Sequence, residues 1–160
     1  MKLYVGGLAA IGIGLGLAGM AAQAAAQPPA AAPAAAAPLA PVQASMRQMG
    51  GAQRAFGGEL GKEAPDPEAL KAAATRLDAL AGQLPGWFAA PVSGAPTAGK
   101  PEIWSDAKGF QAAADALHVQ TTKLAGLADG GDVAALKAQA AAVGGTCKSC
   151  HDAYRAPEKK

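Results

Sequence analysis

Four stretches of the chain carry apolar side chains at alternating steps of three and four residues, the spacing that places them on one face of an α-helix. These stretches span residues 42–60, 70–84, 103–128 and 133–154. No segment beyond Pro41 has the convincing two-residue alternation of a strand. The pattern therefore predicts an all-α fold, an antiparallel four-helix bundle whose connections are mostly short.

Several of the predicted helices have clear boundary signals. Asp66 precedes Pro67, which is a good N-cap followed by proline at the first helical position. The triplet at residues 130–132, Gly-Gly-Asp, is suited to end the third helix and cap the fourth. Residues 86–99 form a longer connection with two prolines and three apolar side chains, and we expect it to lie over one end of the bundle.

The first 26 residues have the pattern of an export signal. Lys2 precedes an uncharged run of Gly, Ala, Leu and Ile that ends in small residues near Ala26, as in a signal peptide with its cleavage site. The run approaches the length of a membrane span, so an uncleaved anchor is the alternative. Under both interpretations the rest of the chain lies outside the cytoplasm, in the periplasm. It is attached to a membrane only if the N-terminal segment is retained.

Residues 27–41 are almost wholly alanine and proline. Because proline lacks a backbone donor and clashes with the preceding helical turn, we expect an extended linker here rather than a packed helix. The predicted organisation is thus a signal at 1–26, a linker at 27–41 and a helical domain at 42–160.

The composition of the 160 residues narrows the chemistry. Hydrophobic residues make up 51% of the chain but aromatic residues only 4%, so a bulky apolar cofactor would ease a shortage of large core side chains. The net charge of +2, with no basic stripe between aromatic residues, argues against a nucleic-acid partner. Two cysteines and two histidines are too few for an ordinary zinc site built from two pairs of ligands.

The strongest chemical signal is a Cys-X-X-Cys-His motif formed by Cys147, Cys150 and His151. On a helix, positions i, i+3 and i+4 lie on one face within a single turn. Both sulfurs can therefore reach the two vinyl groups on one edge of a porphyrin, and the imidazole can reach the iron from the same side. We predict one covalently attached haem c, with His151 as the proximal ligand of its iron.

Two alternatives for the motif are a disulfide and a thioredoxin-like redox pair. The redox pair belongs near a strand–helix–strand unit, which the sequence does not predict, and a histidine directly after the second cysteine favours haem. Gly144 and Gly145 precede the motif inside a predicted helix, where each costs up to about 1 kcal/mol relative to alanine. We expect close approach of the backbone to the porphyrin or to a facing helix there, or else a local break of the helix.

A Cys-X-X-Cys-His motif at the C-terminal end of a four-helix chain resembles the class II cytochromes c, which include cytochrome c' and its low-spin relatives. The resemblance covers about residues 42–157. Its most specific stretch is GGTCKSCHDAYR at 144–155, and KPEIW at 100–104 and MRQMG at 46–50 are similar to further family motifs.

The resemblance places Met46 on the distal side of the haem. A methionine there is the sixth iron ligand in the low-spin members, whereas in cytochrome c' the site holds a bulky residue that leaves the iron five-coordinate. We expect Met46 to ligate the iron, with a space-filling core methionine as the alternative. Val42 replaces an arginine common in cytochrome c', so Arg47 or Arg54 would have to supply any contact to a propionate.

The resemblance also implies a role for Arg155 beside the proximal imidazole, at a helix C-terminus where a cation is favourable. Met49 could compete with Met46, but it does not match the family position. His118 is expected to be an ordinary histidine at or near the surface rather than a ligand, and Trp104 a core aromatic.

The expected function is outer-sphere electron transfer with periplasmic redox partner proteins, in which His/Met ligation raises the reduction potential. The chain has no evident set of catalytic acid, base and nucleophile, so we do not expect an enzyme. The alternatives are a five-coordinate protein that binds nitric oxide or another diatomic gas, a thiol–disulfide exchange enzyme, and a helical interaction domain without a cofactor. Because dimerisation through the first two helices is common in the family, the resemblance also admits a homodimer.

Overall fold

The computed structural model describes residues 37–93 and 98–157. The predicted signal peptide and the first ten residues of the predicted linker, 27–36, lie outside the described residues.

The described part of the chain contains four long helices and one short helical segment. They are α1 Leu39–Leu60, α2 Pro67–Trp87, α3 Glu102–Ser105, α4 Ala107–Ala128 and α5 Val133–Tyr154. Helix α1 packs on α2, α2 on α4, and α4 on α5, whereas α1 and α5 contact each other only sparsely. This arrangement confirms the predicted all-α four-helix bundle. Within these two described ranges, no helix is long and apolar enough to cross a bilayer.

Contacts between the helices show that neighbours run antiparallel. Near one end of α2 and α4, Lys71 forms an ion pair with Asp129, and near the other end the ring of Phe88 meets the ring of Phe110 edge to face. Helix α5 also runs antiparallel to α4, because the ring of Tyr154, the last residue of α5, packs edge to face on Phe110 near the start of α4. The last turns of α5 therefore lie beside the start of α4. This end of the bundle carries the Cys-X-X-Cys-His motif.

Aspartates begin three of the long helices. The carboxylates of Asp66, Asp106 and Asp132 each accept a hydrogen bond from a first-turn N–H group, as N-caps do. Gly131, just before α5, has a positive φ of 69°, which a glycine adopts without steric strain. The predicted caps at Asp66 and Asp132 are confirmed.

Helix α1 begins three residues earlier than predicted. We placed Pro41 in the linker, but it is the third residue of α1. The prediction was wrong here because a proline in the first helical turn gives up no hydrogen bond, since N–H groups in that turn have no intrahelical partner.

The predicted third helix is divided at Asp106. This residue has φ −115° and ψ 54°, outside the helical region, and it separates α3 from α4. Its carboxylate accepts from the Gly109 N–H at 3.2 Å and from the Tyr154 hydroxyl at 2.9 Å. The Asp106 side chain can accept both bonds because its backbone leaves the helix at this position. The contact with Tyr154 thus favours a break between α3 and α4, although the apolar pattern of the sequence continues across it.

Two very short strands occur where the sequence predicted none. They are β1 Ala37–Pro38 and β2 Val92–Ser93, which pair in parallel. An isolated bridge also joins Gly99 to Arg155. These pairings satisfy backbone groups of connecting segments, which side-chain alternation cannot reveal. Helix α2 continues through Pro85 to Trp87, so the connection after it begins later than predicted.

The core is formed by the apolar faces of the four long helices. Its largest fully buried side chains are Phe56, Leu77, Leu124, Leu136, Val143 and Thr121. Thr121 is the polar member, and its hydroxyl lies 3.0 Å from the carboxylate of Asp78 and 2.9 Å from the His118 carbonyl. All six lie in the predicted helical segments, which confirms that the period of three and four marks the buried faces.

Leu124→Ala tests this assignment against Leu127→Ala on the same helix. Leu124 is fully buried and Leu127 is 37% exposed. We expect Leu124→Ala to lower the free energy of unfolding by about 2–5 kcal/mol because it leaves a cavity, and Leu127→Ala by less than about 1 kcal/mol. Urea denaturation of the haem-loaded protein, followed by circular dichroism, measures both; equal losses would contradict the described packing.

Candidate haem site

The predicted attachment residues lie on the last two turns of α5. Helix α5 is continuous from Val133 to Tyr154, so Cys147, Cys150 and His151 keep the spacing of one helical face. Both cysteines are free and half-buried, and Cys147 packs against the core. The motif is thus anchored in the bundle by its first cysteine.

The two residues between the cysteines interact with their own helix. The Ser149 hydroxyl donates to the Gly145 carbonyl at 3.0 Å, and Lys148 forms an exposed ion pair with Asp152. Both side chains are exposed, as expected for positions that do not take part in haem attachment.

The surroundings of His151 favour its neutral form. His151 as a whole is exposed, but partial desolvation of its ring, followed by the positive charge of Arg155, lowers its pKa below the ordinary 6.5, with Asp152 acting in the opposite sense. The imidazole is therefore neutral at pH 7. A neutral imidazole keeps the nitrogen lone pair that an iron ligand requires.

The surroundings of the thiols favour their protonated forms. Burial raises the pKa of Cys147, although a backbone hydrogen bond opposes it, and burial followed by the nearby Cys147 raises the pKa of Cys150. Catalytic redox cysteines have lowered pKa values, because the thiolate is the attacking species. This pair has the opposite character, which argues against the thiol–disulfide exchange alternative.

An open pocket of about 330 Å³ lies beside His151. Its lining residues are Lys100, His151, Asp152, Arg155, Ala156 and Pro157. Two of these are cations, and Arg155 is also the C-cap residue of α5. Arg155 and His151 therefore line the same pocket, and a role for Arg155 beside the proximal imidazole stays a prediction.

The predicted distal residues lie on the first half of α1. Met46 is half-buried and packs against the core, and Met49 is buried within it. Val42 is buried as well, at 7% exposure, so an apolar side chain suits this position. Arg47 and Arg54 are exposed.

The structure also shows the surroundings of Gly144, Gly145, His118 and Trp104. Helix α5 passes through Gly144 and Gly145 without a break, so the local break given as the alternative does not occur. No atom from another described element lies within 4 Å of a β-carbon built at either glycine, so close approach to a facing helix is wrong. Close approach to the porphyrin stays a prediction. His118 is exposed, with Asp78 3.5 Å away, and Trp104 is half-buried with its indole N–H bonded to the Phe88 carbonyl.

Two residues that touch the motif helix were not recognised as part of the site. Lys100 and Asp106 contact the last turn of α5 through hydrogen bonds that span about fifty positions of the chain. Lys100 belongs to the stretch that resembles a family motif, but no local pattern indicated its partner.

The donor set fits a covalently bound haem. Two thiols and one neutral imidazole share a helical face, one thiol borders the apolar core, and the imidazole opens to a pocket with two cations. A porphyrin combines an apolar ring, which suits the core side, with carboxylates, which suit the cations.

Comparison with known proteins identifies the family. A family model described as Cytochrome C' matches residues 37–155. Cytochrome c' of Alcaligenes xylosoxydans xylosoxydans is 48% identical over 56 residues, which are 35% of this chain and 44% of that protein, so this chain spans less than half the length of that curated relative.

Two solved structures are similar over most of the described chain. A ferrous variant of cytochrome c prime from Alcaligenes xylosoxidans with bound NO has a TM-score of 0.65 at 32% identity, covering 72% of this chain and 91% of that one. A cytochrome c' noted for ligand-controlled dimer dissociation has a TM-score of 0.67 at 28% identity, covering 73% and 92%. The chain therefore belongs to the cytochrome c' family, which carries covalently attached haem c.

Proposed function

We propose that the protein is an exported haem protein with five-coordinate iron that binds nitric oxide or a similar diatomic gas. The observation that carries this proposal is the match to cytochrome c' over residues 37–155, nearly the whole helical domain. The similar structure with bound nitric oxide supports the choice of ligand.

In this proposal the thiols of Cys147 and Cys150 would each add S–H across a porphyrin vinyl group, and the resulting thioethers would hold the haem on α5 with His151 as the proximal ligand. The bound haem supplies an iron with one open coordination position. The polypeptide supplies a neutral imidazole on one side, because burial and Arg155 lower the pKa of His151. It also fixes the imidazole beside the attachment points, since all three residues share one helical face.

Met46 has two candidate roles on the distal side. As an apolar cover it would exclude water and restrict the gas-binding position; as a sixth ligand it would close that position and favour electron transfer. Cytochrome c' membership supports the first role better than the Met46 ligation that we expected. The half-buried side chain of Met46 already packs against the core, which suits a space-filling residue.

The remaining parts of the proposal concern location and partners. The signal-like residues 1–26 support export to the periplasm. We propose no catalytic turnover of a substrate, because the described residues around the site offer no evident set of acid, base and nucleophile beyond those assigned to haem attachment. The related cytochrome c' with ligand-controlled dimer dissociation supports a homodimer, and the surface for redox partners would lie at the motif end of the bundle.

The spin state of the haem-loaded protein tests the distal assignment. We expect a high-spin ferric absorption spectrum that changes when nitric oxide is added, and we expect Met46→Leu to preserve the spin state because leucine keeps the volume of the cover. The Met46→Ala variant should have a several-fold higher rate constant for nitric oxide binding, because removal of the methionine side chain opens the distal side of the haem.

Met49→Leu is the matched control, since Met49 lies one turn further along α1 in the core. A low-spin spectrum with a sulfur-to-iron charge-transfer band, lost in Met46→Leu and kept in Met49→Leu, would instead establish Met46 as the sixth ligand.

Thiol reactivity tests whether the motif is built for attachment or for redox exchange. In the polypeptide produced without haem attachment, and shown to be folded by circular dichroism, each thiol should be less than about 1% thiolate at pH 7 because burial raises its pKa. Alkylation measured by mass spectrometry should therefore be slow at pH 7 and rise about tenfold per pH unit towards pH 9.

The same chain in urea is the control, and its thiols should react at the ordinary rate. Alkylation of the folded chain that is already maximal near pH 7 would contradict the assignment and restore the exchange enzyme.

A further inference from the structure

The C-terminal turn of α5 is held by a lysine from a distant part of the chain. The last carbonyls of a helix have no intrahelical donor. Here the Lys100 ammonium donates to the carbonyls of Asp152 and Ala153 at 2.9 and 3.0 Å, and the Lys100 backbone N–H donates to the Tyr154 carbonyl at 2.9 Å. One residue thus satisfies three consecutive carbonyls, two of them with a charge-assisted bond.

A second contact holds the same turn from the side of α4. The Tyr154 hydroxyl donates to the Asp106 carboxylate at 2.9 Å, and the Tyr154 ring packs edge to face on Phe110. Glycine at position 109 allows Tyr154 to reach Asp106, because a β-carbon there would overlap both the Asp106 carboxylate and the Tyr154 hydroxyl. The final turn is therefore anchored to the segment that begins at Lys100.

These anchors act on the backbone that carries His151. The His151 carbonyl accepts from the Arg155 N–H at 2.9 Å, so His151 and the capped residues belong to one helical turn. Lys100 and His151 also line the same open pocket. The direction of the imidazole follows from this backbone, and fraying of the turn would release it.

We propose that Lys100 is a positioning residue for the proximal ligand: by capping the last turn of α5, it fixes the direction of the His151 imidazole towards the iron. This inference rests on the proposed role of His151 as the haem ligand. It assigns the distant KPEIW segment a part in the site, although Lys100 need not touch the haem.

The experiment compares Lys100→Met with Lys148→Met in the haem-loaded protein. Both substitutions remove one positive charge close to α5, but Lys148 caps no carbonyl and pairs with exposed Asp152. We expect Lys100→Met to speed amide hydrogen exchange at residues 152–156 by about tenfold, because two charge-assisted bonds are lost. It should also shift and broaden the iron–histidine stretching band in resonance Raman spectra of the ferrous protein.

Lys148→Met should leave both measurements unchanged, and Lys100→Arg should restore them, since an arginine can cap the same carbonyls. Equal changes in the two methionine variants would overturn the proposal, because the effect would then be one of charge alone. Faster exchange without a change in the stretching band would also overturn it, because Lys100 would then stabilise the turn without positioning the imidazole.

Tyr154→Phe provides a second variant if Lys100→Met does not fold. It removes the hydroxyl bonded to Asp106 and keeps the ring on Phe110, so it should change the stretching band in the same direction by a smaller amount; no change would count against the proposal. Failure of the proposed haem function itself is distinguishable, because the parent protein would then show no iron–histidine band at all.

Discussion

The whole site depends on the geometry of one turn of α-helix. A helix places positions i, i+3 and i+4 on a single face, so Cys147, Cys150 and His151 can hold one porphyrin edge and its iron from the same side. Helix α5 preserves this spacing because it continues without a break through Gly144 and Gly145 to Tyr154. An interruption between Cys147 and His151 would separate the attachment points from the proximal ligand.

Partial removal of solvent from the three donor groups then decides their chemical character. Partial desolvation lowers the pKa of His151 and raises the pKa of both thiols, so that all three groups are neutral at pH 7. Neutral imidazole suits iron ligation, and protonated thiols are poorly suited to disulfide exchange, which requires a thiolate. The same partial desolvation therefore favours iron ligation at His151 and disfavours the competing chemistry at the two thiols.

The sequence predicted the structural features that depend on residues close together in the chain. It missed the features that depend on contacts between residues far apart in the chain. The period of three and four identified the four long helices, and the aspartates before α2 and α5 identified their starts, because both signals operate within a few residues. The division at Asp106 was not predictable in this way, since it depends on the hydroxyl of Tyr154, 48 positions away. The Lys100 cap escaped notice for the same reason: a lysine beside a proline shows nothing of the carbonyls that it will meet.

The role of Met46 illustrates the same limit at the point that decides function. Met46 belongs to α1, which packs on α2, whereas His151 belongs to α5, which packs on α4, and the two helices contact each other sparsely. Whether the Met46 sulfur reaches the iron therefore depends on the spacing between these two helix pairs. For ligation, this spacing has to bring the sulfur to within a fraction of an ångström of the iron–sulfur bond length. A thioether serves equally well as an apolar filler and as a ligand, so residue type leaves both roles open. Because α1 and α5 are joined mainly through α2 and α4, packing at the α2–α4 interface contributes to that spacing.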